Sequence, residues 1–167
     1  METASTWDSY RDTLIVVLET LNPVKCLEFG AGKSTKLISE YKSVKKLDSV
    51  ENDYGWIEKV KKNGINEKVK FIYEPNLDSY PFVSGRFDLY HLIFIDGAVR
   101  EKCLLNVSDK LDKDGVVVLH DAERKEYAEA IDTYLKSIWT DGGHTVILTD
   151  NIKVADGLSD ILGGAFV

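Results

Sequence analysis

Apolar residues recur at helical spacing near the start of the chain. Trp7, Tyr10, Leu14, Val17, Leu18 and Leu21 fall on one face, and Ser5 with Asp8 forms a capping pair. Asn22-Pro23 ends this helix, because the residue before a proline is driven out of the helical region. The pattern then changes to short apolar runs. "VKCLEFG" reads as a buried strand and "KSTKLISEYK" as a helix; "VKKLDSVEN" reads as a second strand and "DYGWIEKVKKNG" as a helix stopped by Gly64. "KVKFIYEP" is a third strand and "FDLYHLIFIDG", after the loop "NLDSYPFVSGR", a fourth. The amphipathic helix "REKCLLNVSDKL" leads through the turn "DKDG" into "VVVLHDA", a short apolar strand of the kind buried in a parallel sheet. A long helix is expected from Arg124 to Trp139, then a strand "HTVILTD", with the ending "GGAFV" adding a last short strand. Strands that alternate with helices imply one α/β domain, a parallel sheet with helices on both faces. It spans 1–167, with an N-terminal helix over 1–22, a core over 23–150 and a tail over 151–167.

Charge narrows the partners. The chain of 167 residues carries a formal −7, and the excess sits in the second half, with nine basic against fifteen acidic residues from Ser84 onward. A surface built to neutralise phosphates would have the opposite sign, so nucleic acid is not an expected partner. Cys26 and Cys103 form no motif with each other or with histidine, which fits a reducing compartment. No run has the length of a membrane span or the character of a secretory signal, and a cytoplasmic protein is expected.

The candidate chemistry begins at "LEFGAGKSTK", Leu27 to Lys36, where two signatures overlap. Gly32-Lys33-Ser34 matches the end of a triphosphate-binding loop. That loop needs a first glycine at position 27, which is Leu27 and belongs to the strand. The other signature keeps its parts. Gly30, Ala31 and Gly32 fall where a strand turns into a helix, so the backbone can approach a ligand and the helix amides face it. Glu51 follows about twenty residues later at the next strand end, the place for a carboxylate that binds ribose hydroxyls. A dinucleotide or an adenosyl compound would suit this pairing. Thr35 stands where the dinucleotide fingerprint has a third glycine, and a carboxylate at Glu28 would repel a pyrophosphate but attract an ammonium or sulfonium group.

With "SVEND", "FDLYHLIFIDG" and "LDKDGVVVLHDA" in order after "LEFGAGKST", the chain resembles the class I S-adenosylmethionine-dependent methyltransferases from about Val24 to Asp150. The resemblance implies a Rossmann-like sheet of seven strands, order 3-2-1-4-5-7-6, with the last strand antiparallel. It implies S-adenosylmethionine as cofactor. Glu28 and the Gly30–Gly32 turn would surround the methionine part, and Ser34 and Thr35 would donate to its carboxylate or cap the helix. Glu51 would accept from the ribose hydroxyls with Asn52 beside it, Asp53 would cap a helix or touch the ligand, and Asn76 would contact the adenine or hold a turn. Asp96 and Gly97 would flank the reactive methyl. His120 is the best placed base, with Asp96 as the other catalytic candidate; a structural histidine is its alternative role.

Catechol-type members bind Mg²⁺ through two aspartates and an asparagine. Here Asp96 and Asp121 are followed by Ala122 in place of the third ligand, and Val99 replaces a lysine of those enzymes, so no metal is expected. Methyl transfer to a small-molecule O or N acceptor is the expected activity. A cofactor-binding protein without transferase activity, or an NAD-dependent oxidoreductase, are the alternatives. A carboxylate at a strand end supports little packing, so loss of Glu51 is expected to leave stability without ligand nearly unchanged.

Overall fold

The computed structural model describes residues 6–83 and 88–163, with side chains from residue 10 onward. The capping pair Ser5 and Asp8, the Trp7 side chain and, past Gly163, the strand expected in "GGAFV" lie outside this description. The first half follows the hydrophobic pattern: α1 (Thr6–Leu21), β1 (Lys25–Phe29), α2 (Lys33–Glu40), β2 (Lys46–Glu51), α3 (Tyr54–Lys61) and β3 (Val69–Tyr73). Then come β4 (Tyr90–Ile95), α4 (Arg100–Asn106), β5 (Leu111–His120), α5 (Ala128–Ile131), β6 (Lys136–Thr140), β7 (Thr145–Thr149) and α6 (Ile152–Leu162).

One sheet holds all seven strands in the order β3-β2-β1-β4-β5-β7-β6, with β7 antiparallel to both of its neighbours. The expected topology is present. The central strands are apolar on both sides because both sides are covered. Alternation divides them: Leu92, Phe94, Val116 and Val118 face α1, α2 and α6, while Ile93, Ile95, Val117 and Leu119 face α4 and α5. Cys26 and Cys103 are buried free thiols on opposite faces.

One expectation about the C-terminal third is corrected. The helix placed over Arg124–Trp139 is only a short turn of Lys125–Tyr127 running into α5, and its second half is β6. Tyr127, Ala130, Ile131, Tyr134 and Ile138 continue a helical spacing, but Ile138 pairs with Ile147 across the hairpin instead. The tail carries a helix, α6. Asn151 caps it by accepting from the amides of Lys153 and Val154, and Gly163 ends it at φ +63.

Register positions the site. Phe29 pairs with Val50 and Ile95, and Ile95 pairs with Leu119. The next residue of each strand, Gly30, Glu51, Asp96 and His120, therefore stands in one row at the carboxyl edge of the sheet, where open α/β sheets bind ligands.

Candidate functional site

The turn after β1 presses backbone against backbone. Gly30 has φ +96 and donates to Val50 O at 2.8 Å, while Asp96 N donates to Phe29 O at 2.9 Å. A Cβ at Gly30 would lie 2.6 Å from Gly97 Cα, and one at Gly97 would run into the Tyr80 hydroxyl and stand 2.8 Å from Gly30 N. Neither position has room for a side chain. Gly32 is different: its backbone is extended, and a Cβ there would meet no atom within 4 Å. The protein's own packing leaves that space open.

Beside this turn lies a cavity of about 620 Å³. Gly30, Ala31 and Gly32 form one wall, Glu51, Asn52 and Asp53 a second, and Asp96, Gly97 and Ala98 a third. Tyr10 from α1 and Trp56 from α3 close it, with Lys33 at its rim. Three carboxylates against one lysine make the lining acidic.

Glu51 is 7% exposed and organises two walls. Its Oε2 accepts from Ala31 N at 3.0 Å; its Oε1 accepts from Asn52 N at 2.8 Å and Asp53 N at 3.0 Å. A carboxylate has about four lone-pair positions, so one remains on Oε2. These bonds revise the expectation that Glu51 matters little to stability, since three backbone amides lose their acceptor without it. Asp53 caps α3 by accepting from Trp56 N at 3.0 Å, and the Trp56 indole N–H donates to Ala31 O at 2.6 Å.

Glu28 stands beneath the cavity and not in its wall. Strand alternation puts it on the face of Cys26, under α2, with 0% exposure. Its carboxylate accepts from the hydroxyls of Ser34, Thr35 (2.6 Å) and Ser49 (2.7 Å). Burial pushes its pKa up to about 7, against the pull of those three hydrogen bonds. Ser34 and Thr35 are buried with it, and Thr35 Oγ1 also accepts from Gly32 N at 2.9 Å. All three support the glycine turn from below. Asn76 is also away from the cavity. Its side-chain oxygen accepts from Asp78 N at 2.9 Å, and its carbonyl accepts from Ser79 and Tyr80 N, which holds the turn after β3.

The two catalytic candidates meet. His120 Nδ1 and Asp96 Oδ1 are 2.9 Å apart, but His120 is 3% exposed and sits behind Asp96, which lines the cavity. Tyr10 covers the histidine edge-on, ring centroids 4.7 Å apart. Burial above all, with Asp96 and Glu28 adding, pushes the Tyr10 hydroxyl far above its usual range, so it stays protonated. Arg100 binds Asp96 at 3.0 Å and Asp121 at 2.9 Å. Partial burial works upward on the Asp121 carboxyl, but His120, Arg100 and Arg124 together hold it below the usual carboxylate range. Tyr10, Trp56 and Arg100 were not singled out from the sequence. Tyr10 was assigned to the helix core, where it also is. Arg100 left a signal, four residues after Asp96 at the start of a helix.

No protein-family model matches the chain, and no curated protein matches it in sequence. Solved structures do match in fold. One is a methyltransferase-like protein from Silicibacter pomeroyi, at 14% identity over 99% of this chain and 97% of that one, TM-score 0.64. Another is the N-methyltransferase NodS from Bradyrhizobium japonicum in complex with S-adenosyl-L-homocysteine, at 13% identity over 88% of this chain and 87% of that one, TM-score 0.61. A third is spermidine synthase from Thermotoga maritima, at 17% identity and TM-score 0.66; 92% of this chain is covered but only 62% of that one. None of the described helices is long and apolar enough to cross a membrane. Strand order, the antiparallel β7 and these likenesses agree: the chain has the fold of the class I S-adenosylmethionine-dependent methyltransferases.

Proposed function

We propose that the chain binds S-adenosylmethionine in the cavity at the carboxyl edge of β1, β2 and β4 and transfers its methyl group to a small-molecule O or N acceptor. The observation that carries this is the lining: three carboxylates, Glu51, Asp53 and Asp96, against Lys33 and the Arg100 that pairs with Asp96, a net negative charge around a glycine turn with open space at Gly32. A cavity of that charge attracts a sulfonium and an ammonium group and repels the phosphates of NAD or ATP. Its volume, about 620 Å³, is in the range of cofactor sites.

S-adenosylmethionine, when bound, supplies a methyl group activated by a positively charged sulfur. The remaining free position of Glu51 Oε2 accepts from a ribose hydroxyl, while Asn52 offers an amide beside it. The Trp56 ring supplies a flat wall for the base, and Gly30 to Gly32 let the chain lie close to the methionine part. Asp96, Gly97 and Ala98 bound the reactive end. Against Gly97 lies a second cavity of about 300 Å³, reaching Val99, Arg100 and Tyr127, which is the space for the acceptor. In-line displacement depends mostly on this positioning. Where the acceptor must lose a proton, Asp96 is the group at the cavity wall that takes it, and His120 behind it shares the charge.

The test is thermal unfolding with S-adenosylhomocysteine, NAD and ATP in parallel. At ~100 times its dissociation constant, S-adenosylhomocysteine should stabilise by about 2.7 kcal/mol, a rise of about 5–10 °C for a chain of this size. A shift with NAD or ATP and none with S-adenosylhomocysteine overturns the assignment.

A further inference from the structure

We propose that Arg100 is a built-in cation, filling the position between the ends of β4 and β5 where a divalent metal ion would otherwise be gathered. Donor atoms of Asp96, His120 and Asp121 all lie within 4.8 Å of one another. Ligands of one small divalent ion stand roughly 3–4.5 Å apart, so the cluster is compact enough to converge on an ion with small adjustments. The guanidinium is already there. Nη2 lies 3.0 Å from Asp96 Oδ1, and Nη1 donates to Asp121 Oδ2 at 2.9 Å and His120 O at 2.8 Å. Nε donates to Gly97 O at 3.1 Å. Two carboxylate and two carbonyl oxygens thus converge on one positive group whose side chain is 14% exposed. These are the hard oxygen donors that Mg²⁺ and Mn²⁺ prefer.

The backbone on both sides carries the mark of the same arrangement. Val99 has φ +43 and Asp121 φ +54, the left-handed region that a β-branched residue avoids most strongly. Such conformations persist where surrounding contacts over-determine them. The bonds from Arg100 to Gly97, His120 and Asp121 are among those contacts, tying the turn after β4 to the turn after β5. Arg100 is therefore a positioning residue. It pairs with both aspartates (Arg124 also holds Asp121, at 2.9 Å), fixes the Asp96–His120 pair, and puts a positive charge in the space between them that a metal would need.

The experiment is a Mn²⁺ titration followed by electron paramagnetic resonance, with melting temperature measured with and without Mn²⁺. It uses the wild type, Arg100→Ala, Arg100→Ser, and Arg100→Ala combined with Asp121→Asn. The wild type should leave Mn²⁺ free and melt at the same temperature with metal or chelator. Both single variants should melt lower, bind one Mn²⁺ per chain and recover melting temperature on adding it; the double variant should lose that binding. Mn²⁺ binding by the wild type at this cluster overturns the proposal. So do folded single variants that bind no metal, or single variants that stay unfolded with Mn²⁺ present. No cofactor or acceptor enters the test, so its failure is separate from failure of the methyl-transfer assignment.

Discussion

Replacing Glu28 with glutamine should remove a pH-dependent component of stability. The side chain has no exposure and is surrounded by three hydroxyls, and among the described residues no cation bonds to it. Burial penalises its charged form, and the hydroxyls return only part of that penalty, which leaves the folded-state pKa at about 7 against an ordinary 4.5. The sign follows from proton binding. Between these two values the folded protein holds a proton on Glu28 that the unfolded chain has released, so stability falls as pH rises through the window. The contribution is fully present below 4.5, declines up to about 7 and is constant above it. At about 1.4 kcal/mol per pH unit the interval amounts to roughly 3 kcal/mol.

Glutamine keeps the shape and remains neutral at every pH. Its amide can donate to a serine hydroxyl, which both donates and accepts. Urea unfolding from about pH 5 to about pH 8 should show the wild type losing roughly 2–3 kcal/mol more than Glu28→Gln, with the variant the more stable at the upper end. His144, held above its ordinary pKa by its hydrogen bond with Glu123, titrates in both proteins and cancels in the difference. Parallel curves for the two proteins would refute the reasoning, because they would mean that Glu28 titrates alike folded and unfolded.

Gly32→Ala should leave the melting temperature without ligand unchanged, since the added methyl meets no protein atom, yet weaken S-adenosylhomocysteine binding at least about tenfold, or about 1.4 kcal/mol; equal affinity by calorimetry places the ligand elsewhere. Glu51→Gln puts an amide nitrogen against a backbone N–H and should cost about 1–3 kcal/mol in urea unfolding as well as weakening the ligand. A variant with full stability and full affinity would remove Glu51 from both roles.

The parallel part of the sheet was legible because each central strand is apolar on both faces, and a run such as "HLIFI" has few other uses. The hairpin was less so. Ile131, Tyr134 and Ile138 keep a helical spacing, and what makes 136–140 a strand is its pairing with β7, a contact that local pattern does not contain. The helix α6 did carry a local signal, Asn151 followed by Val154, Ala155 and Leu158 and stopped by Gly163. At the site, the glycines and Glu51 were marked by motif, and their row at the sheet edge followed from strand ends. The orientation of Glu28 was open to strand alternation, which places it with Cys26. The position of Trp56 and the fourfold grip of Arg100 depend on how separate turns meet, and spacing along the chain does not report that.

The contact between Gly30 and Gly97 sets a dimension of the molecule. One belongs to the turn that would cradle the donor and the other to the turn that opens toward the acceptor space, and they meet with no side chain between them. The spacing of the two halves is therefore a main-chain length, indifferent to the residues on the loops around it. The turns after β4 and β5 can change composition while the cavity beside the glycine turn keeps its distance from them. A side chain introduced at either glycine would act on both halves together and, under the proposed function, would impair transfer to every acceptor alike.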